Sequence, residues 1–412
     1  MKKIVKMSLV AAVAVAGLTT ANAKPLEEAI KDVDVSGTVV YRYNDYNAKN
    51  GTSTQTNNYK IGLNVSSKVN DDVKLNTRFI VGQPSTTAGA GTNSNLGFAT
   101  LDAGTNGDQG VEVLLSNVYF GYTGIMNTTV NVGKQGLTTP WTTAVDSDGN
   151  EQTGTGILAL STWGPVTVAG AYFNQTNLNA SGDLAGALNT ASTYANAGAN
   201  DIVTLGVIGN VGPVTLNAWY LDMADIFDTY TLGAKAGFDV SGVKLGADLS
   251  YTSLDFDSVA KTNLGLTAAN DDHNLVKLIL TAKAGIVDAK YVYAGTDKEG
   301  GITALDNDAA TTMLTWNITT NNKADADLHH LSVGVQAMDS LHVSANFTTM
   351  DYEEGSNRAI EDNEEELYAQ LVYNMSKNLS TYVRFGTYEK EVDNVKTTED
   401  DYRGRLQVQY SF

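Results

Sequence analysis

Three carboxylates fall within six residues at Asp146-Ser147-Asp148-Gly149-Asn150-Glu151, shortly after the pair Pro140-Trp141. Carboxylates at this density can coordinate a cation or place negative charge in a water path. They can also simply solvate a turn, since Asp, Ser, Asn and Gly are the ordinary turn residues. The fragment is too short for an EF-hand loop, which needs about twelve residues ending in a bidentate Glu. A Pro-Trp pair just before it supplies a rigid turn and an apolar anchor, suited to pinning such a loop against a wall.

Catalytic groups are scarce. The four histidines are His273, His329, His330 and His342, and cysteine is absent, so a nucleophile would have to be Ser or Thr. His329 and His330 are adjacent, and on a strand adjacent side chains point to opposite faces. No Gly-x-Ser-x-Gly, zinc-binding His-x-x-x-His or phosphate-binding Gly-rich signature occurs. The chain reads as a non-enzyme that requires no cofactor. Its net charge of -19 also argues against a nucleic-acid partner.

The elements that must position these residues are strands. The last ten residues alternate: Leu406, Val408, Tyr410 and Phe412 share one face, while Arg403, Arg405, Gln407, Gln409 and Ser411 share the other. An apolar face opposite a charged one, ending on an aromatic, is the pattern of a strand with lipid outside and water inside. Gly 39 and Tyr 20 against Pro 5 point the same way, to strands and turns rather than helices. No stretch after the N-terminus is long and apolar enough for a spanning helix.

The N-terminus carries Lys2, Lys3 and Lys6, an apolar run over 7–17 and the small-x-small site Ala21-Asn22-Ala23, so residues 1–23 read as a secretory signal peptide. Its removal takes away three lysines and moves the net charge from -19 to -22. Residues 24–412 then form one domain, a transmembrane antiparallel β-barrel of about eighteen strands. The expected strands are 32–43, 58–68, 72–82, 112–123, 127–135, 154–163, 165–174, 201–211, 213–222, 228–239, 242–252, 273–284, 286–295, 326–336, 340–350, 364–375, 378–388 and 400–412.

Connections alternate between tight turns such as Gly164-Pro165 and Gly212-Pro213 and long polar loops such as 175–200, 253–272, 296–325, 351–363 and 389–399. Short periplasmic turns and nine long extracellular loops are the expected layout. Export to the bacterial outer membrane follows, with lipid and lipopolysaccharide as surroundings and small hydrophilic solutes as cargo. The acidic run Glu361-Asp362-Asn363-Glu364-Glu365-Glu366 is expected in an external loop, giving solubility and divalent-bridged contact with anionic headgroups.

Facing then assigns the lumen. The third long loop, 136–153, is expected to fold inward with Trp141 as anchor and Asp146, Asp148 and Glu151 as fixed negative charge; the solvated surface turn is the other reading. Arg42, Lys60, Lys74, Arg78, Arg384, Arg403 and Arg405 fall on inward positions, and closure would bring the last strand beside the first. An acidic loop opposite a basic wall makes a transverse field, which orients dipolar solutes. The excess of acid implies a mild preference for cations. A surface adhesin and a substrate-specific channel are the competing functions.

The stretch Lys24-Pro25-Leu26-Glu27-Glu28-Ala29-Ile30-Lys31-Asp32-Val33-Asp34-Val35-Ser36-Gly37, followed by Tyr41-Arg42-Tyr43, resembles the start of the Campylobacter-type major outer membrane porin family. Gly133-Lys134-Gln135, Trp141-Thr142, Gly154-Thr155-Gly156 and the terminal Phe412 resemble that family too. The resemblance implies an eighteen-stranded, homotrimeric, cation-preferring general porin. It also implies a divalent cation near the constriction, a structural calcium ion with Asp146 as the best-matching ligand. Asp148 is the nearest alternative, and Asp183 and Glu299 are candidate partners from later loops.

Overall fold

The computed structural model describes residues 33–49, 51–82, 96–101, 112–178, 197–264, 272–353, 361–393 and 395–412. The expected signal peptide lies outside them. The strands are β1 Val33–Asn47, β2 Thr54–Lys68, β3 Val73–Gly82, β4 Ala99–Thr100, β5 Glu112–Ile125 and β6 Thr128–Gly136. They continue with β7 Thr153–Trp163, β8 Val166–Thr176, β9 Ile202–Val211, β10 Val214–Met223, β11 Phe227–Val240, β12 Val243–Phe256 and β13 Asp272–Ala284. The last six are β14 Val287–Thr296, β15 Ala324–Met338, β16 Leu341–Glu353, β17 Glu361–Asn374, β18 Leu379–Val392 and β19 Val395–Ser411.

Every pairing is antiparallel between sequence neighbours, apart from the two-residue β4 that adds to β2 while β3 pairs with β5. The sheet closes when β19 pairs with β1, placing Arg42 opposite Gln407 and Tyr43 opposite Leu406. Gly37 and Phe412 exchange backbone hydrogen bonds of 2.9 and 3.0 Å at the seam. Eighteen long strands thus leave no open edge, the condition under which a sheet can cross a bilayer.

Alternation sorts the side chains as expected. Leu245, Leu249, Val343, Phe347, Tyr410 and Phe412 are exposed on the outer face, whereas Lys60, Ser344 and Asn346 are buried within. An ionised side chain on the outer face near the bilayer centre would cost about 2–4 kcal/mol, which fixes the register. At the tight turns Gly164 and Gly212 hold φ of +59°, the left-handed conformation that two-residue hairpins require and glycine alone adopts cheaply.

Three expectations are corrected at the other rim. β2 begins at Thr54 and β18 runs to Val392, so strands extend beyond their apolar spans, because paired backbone satisfies itself whatever the side chains are. The ninth loop shrinks to residues 393–394 and the fifth to 224–226, so not all nine loops are long. The acidic run at 361–366 belongs to β17 rather than to an external loop. Asp362, Glu364 and Glu366 are buried there.

The interior is also less wet than alternation alone suggests. Inward side chains near the long-loop rim form two apolar clusters. One joins Phe173, Ile202, Leu221, Met223, Phe227, Leu254 and Phe256 of the wall to Leu137, Trp141, Ile302 and Leu305 of the loops. The other joins Leu275, Val292, Leu328 and Met350 to Met313 and Ile318. Each fully buried aliphatic or Phe side chain contributes about 1.5–3 kcal/mol, enough to draw loops inward.

Candidate functional site

The third loop leaves β6 after Gly136 and returns at Thr153. Its neck is closed by the Leu137 N–H donating to the Gln152 carbonyl at 2.8 Å. Asn177 adds a side-chain clamp, donating to the Glu151 carbonyl and accepting from the Thr153 N–H, both at 2.7 Å. Trp141 is fully buried in the first apolar cluster, so the loop lies inside the barrel. Beyond it the chain turns at Asp146, whose carboxylate accepts from Asn150 N at 2.7 Å and Nδ2 at 2.8 Å. Gly149 completes the turn with φ of +80°.

Glu151 is the loop's ionic anchor. Its carboxylate receives Arg78 Nη2 at 2.7 Å and Nε at 3.0 Å, Lys60 Nζ at 2.7 Å and the Ser116 hydroxyl. Burial would push this carboxyl up, but the Arg78 hydrogen bonds and the Lys60 charge outweigh it and hold the group below the usual range. Lys60 also donates to the Gly149 carbonyl. Arg42 reaches the same turn, with Nη2 on the Ser147 carbonyl, Nη1 at 3.3 Å from Asp148 Oδ1 and the guanidinium 4.2 Å from the Phe98 ring centre.

The seventh loop, 297–323, enters the barrel as well, which sequence reading missed. Leu305 N–H donates to the Trp141 carbonyl at 2.9 Å, Thr311 N–H to Pro140 at 3.1 Å, and Ser147 N–H to Asp308 Oδ2 at 3.0 Å. Gln152 donates to the Asp306 carboxylate. Its far limb is fixed by Glu366, which accepts from Trp316 N at 3.0 Å and from Asn317 N and Nδ2 at 2.9 Å. Lys277 Nζ donates to the Ala310 and Thr312 carbonyls. The available signal was Met313-Leu314, Trp316 and Ile318, apolar residues with no business in an external polar loop.

Between these loops and the wall lies a cavity of 640 Å³. Asp146, Asp148 and Asp308 line one side, and Lys290, Arg384 and Arg405 line the strands. Arg384 sits among Tyr382, Trp316 and Tyr368, with ring centres 5.0, 5.8 and 5.8 Å away. Arg405 donates to Asn44 Oδ1 at 2.7 Å and stands 3.8 Å from Asp148. Asp146 is pushed up to about 6 by burial, against the Asn150 hydrogen bonds and with the neighbouring charges of Asp148 and Asp308 adding to the rise.

Comparison with known proteins decides the family. The family model for the Campylobacter major outer membrane protein matches residues 1–412. The chain belongs to this family. Among solved structures, Pseudomonas aeruginosa OccK2 in complex with glucuronate shares 14% identity at a TM-score of 0.70, covering 93% of this chain and 98% of that one. Acinetobacter baumannii OccAB3 shares 15% identity at 0.72, with 93% and 99% covered. A BenF-like porin from Pseudomonas fluorescens shares 13% at 0.72, also with 93% and 99% covered. No functionally curated protein matches. These likenesses show the fold, and with the family they make this member an outer-membrane porin channel, a multi-pass barrel surrounded by outer-membrane lipid.

The seven basic residues expected as one wall of this family member divide. Arg42, Lys60 and Arg78 touch the third loop directly: Lys60 and Arg78 because the buried Glu151 needs partners and not a facing field, Arg42 through the Ser147 carbonyl and the exposed Asp148. Arg384 and Arg405 border the cavity, and Arg403 donates to Asn317 Oδ1 at 2.6 Å over the Tyr388 ring. Lys74 shares the Arg78 face of β3 but is exposed beside the tight turn.

A calcium ion asks for six to eight oxygen ligands. Among the described residues no three His, Cys, Asp or Glu side chains gather around a common point. Both Asp146 oxygens accept from Asn150, Asp148 lies beside Arg42 and Arg405, and Glu299 follows Asp297 on the seventh loop. Asp183 lies outside the described residues. Among the described residues Asp146, Asp148 and Glu299 do not by themselves make a calcium cage.

Proposed function

We propose that the chain is a general diffusion channel, passing ions and small hydrophilic solutes passively with a mild preference for cations. The observation that carries this reading is the pair of inward loops, which bring Asp146, Asp148 and Asp308 to one polar cavity inside the barrel. At the cavity itself these three carboxylates face Lys290, Arg384 and Arg405, so the cation preference rests on the acidic excess of the whole chain, 46 Asp and Glu against 27 Lys and Arg. A net negative path concentrates cations within a Debye length of about 8–10 Å.

The working unit is proposed to be a homotrimer, exported through the Sec route with residues 1–23 removed. Mass measurement of the mature chain, starting at Lys24, and of the detergent-solubilised assembly tests both. A substrate-specific channel is the second reading, favoured by Lys290, Arg384 and Arg405 on one wall of the cavity, basic side chains able to bind an anionic group. Planar-bilayer recording separates the two: stepwise openings with conductance linear in salt support the general channel, and steep saturation by one organic acid supports the specific one. A protein that gives no steps and only adheres would overturn both.

A further inference from the structure

The lumen holds a second cavity, which shares only Asn307, Asp308, Met313 and Leu314 with the arginine-lined one. It occupies 580 Å³ on the other side of the seventh-loop segment 307–314, against β10 to β13. Trp219 on β10 pairs with Gly206 on β9. The indole lies over that glycine, and a Cβ at position 206 would overlap its six-membered ring. The backbone thereby holds one face of the ring against the wall while the ring lines the cavity. Asn217, Asp248 and Ser250 bring amide, carboxylate and hydroxyl groups to the same space. The neighbouring Lys277 ammonium is occupied by the Ala310 and Thr312 carbonyls.

We propose that this cavity is a subsite for neutral pyranose sugars in transit, an inference that rests on the channel reading. A pyranose has a face of C–H bonds and a rim of hydroxyls. The C–H face fits the electron-rich face of an indole, and the hydroxyls donate to Asp248 and exchange hydrogen bonds with Ser250 and Asn217. An acyclic polyol of equal size offers the same hydroxyls but no rigid C–H face. The arginine-lined cavity suits charged and dipolar solutes, so the two spaces divide solutes by chemistry.

The test is flux of glucose and of mannitol into liposomes carrying the full-length mature protein, with potassium chloride conductance recorded in parallel. Glucose uptake is expected to saturate and mannitol uptake to stay linear. Trp219→Ala raises the glucose half-saturation about tenfold, the scale of one aromatic stacking contact, and Trp219→Phe restores part of it, while both keep wild-type salt conductance. Asp248→Asn weakens saturation more modestly. Linear glucose uptake in the wild type, or equal saturation in Trp219→Ala with normal salt conductance, overturns the subsite and leaves the channel standing. Absence of any salt conductance in the wild type overturns the channel reading and the subsite with it.

Discussion

Glu151 on the third loop and Arg78 on β3 form a two-point ion pair inside the barrel, Nη2 at 2.7 Å and Nε at 3.0 Å from the carboxylate. Glu151→Gln would leave Arg78 and Lys60 facing a neutral amide in a buried setting. Removing one partner of a buried pair costs about 3–5 kcal/mol. The expected outcome is a barrel that still assembles but shows larger, noisier single-channel steps and faster proteolysis between residues 137 and 152. Quiet wild-type steps would show that the apolar anchor alone holds the loop.

Acidification separates this anchor from the lumen charge. Asp146, raised to about 6, loses its charge as the pH falls through that value, so cation preference should drop there and Asp146→Asn should remove the pH dependence. Glu151 is held below its ordinary 4.5, so its contribution to loop docking is fully present above that value and is lost only as the pH falls further, through the lowered one. Loop release therefore lies at more acidic pH than the selectivity change. Reversal potentials measured on both sides of pH 6 check this.

Most of the barrel was legible because a period of two survives any loop sequence, and lipid on one side makes the alternation strict. Trp141 was legible because Pro140 fixes a turn beside a large apolar ring. The seventh loop was not, because Met313, Trp316 and Ile318 bury themselves at irregular spacing and leave no period to read. The carboxylates of Asp362, Glu364 and Glu366 misled for a related reason: charge inside a wet barrel looks, in sequence, like charge in an exposed loop.

The seventh loop depends on Glu366 as the third depends on Glu151. Glu366→Ala removes the acceptor for Trp316 N, Asn317 N and Asn317 Nδ2. Each hydrogen bond to a charged group is worth about 1.5–3 kcal/mol. Conductance should rise with unchanged assembly, whereas Glu365→Ala, on the exposed side of the same strand, should leave it unaltered.

Neutralising a basic and an acidic group at the cavity should act in opposite directions. Arg405→Ala removes a positive charge 3.8 Å from Asp148 and is expected to strengthen cation preference. Asp308→Asn should weaken it, although the Ser147 N–H can still donate to the amide oxygen. Ion flux ratios for the two variants test this, and a shift in the same direction for both would remove the cavity from the conducting path.

The central claim, a hydrated lumen whose fixed charge is set by two inward acidic loops, is tested most directly by the reversal potential across a potassium chloride gradient. A potential of the sign set by potassium permeating faster than chloride, reduced by Asp148→Asn, is the predicted result. A clear chloride preference, or a potential indifferent to Asp146, Asp148 and Asp308 alike, would contradict it.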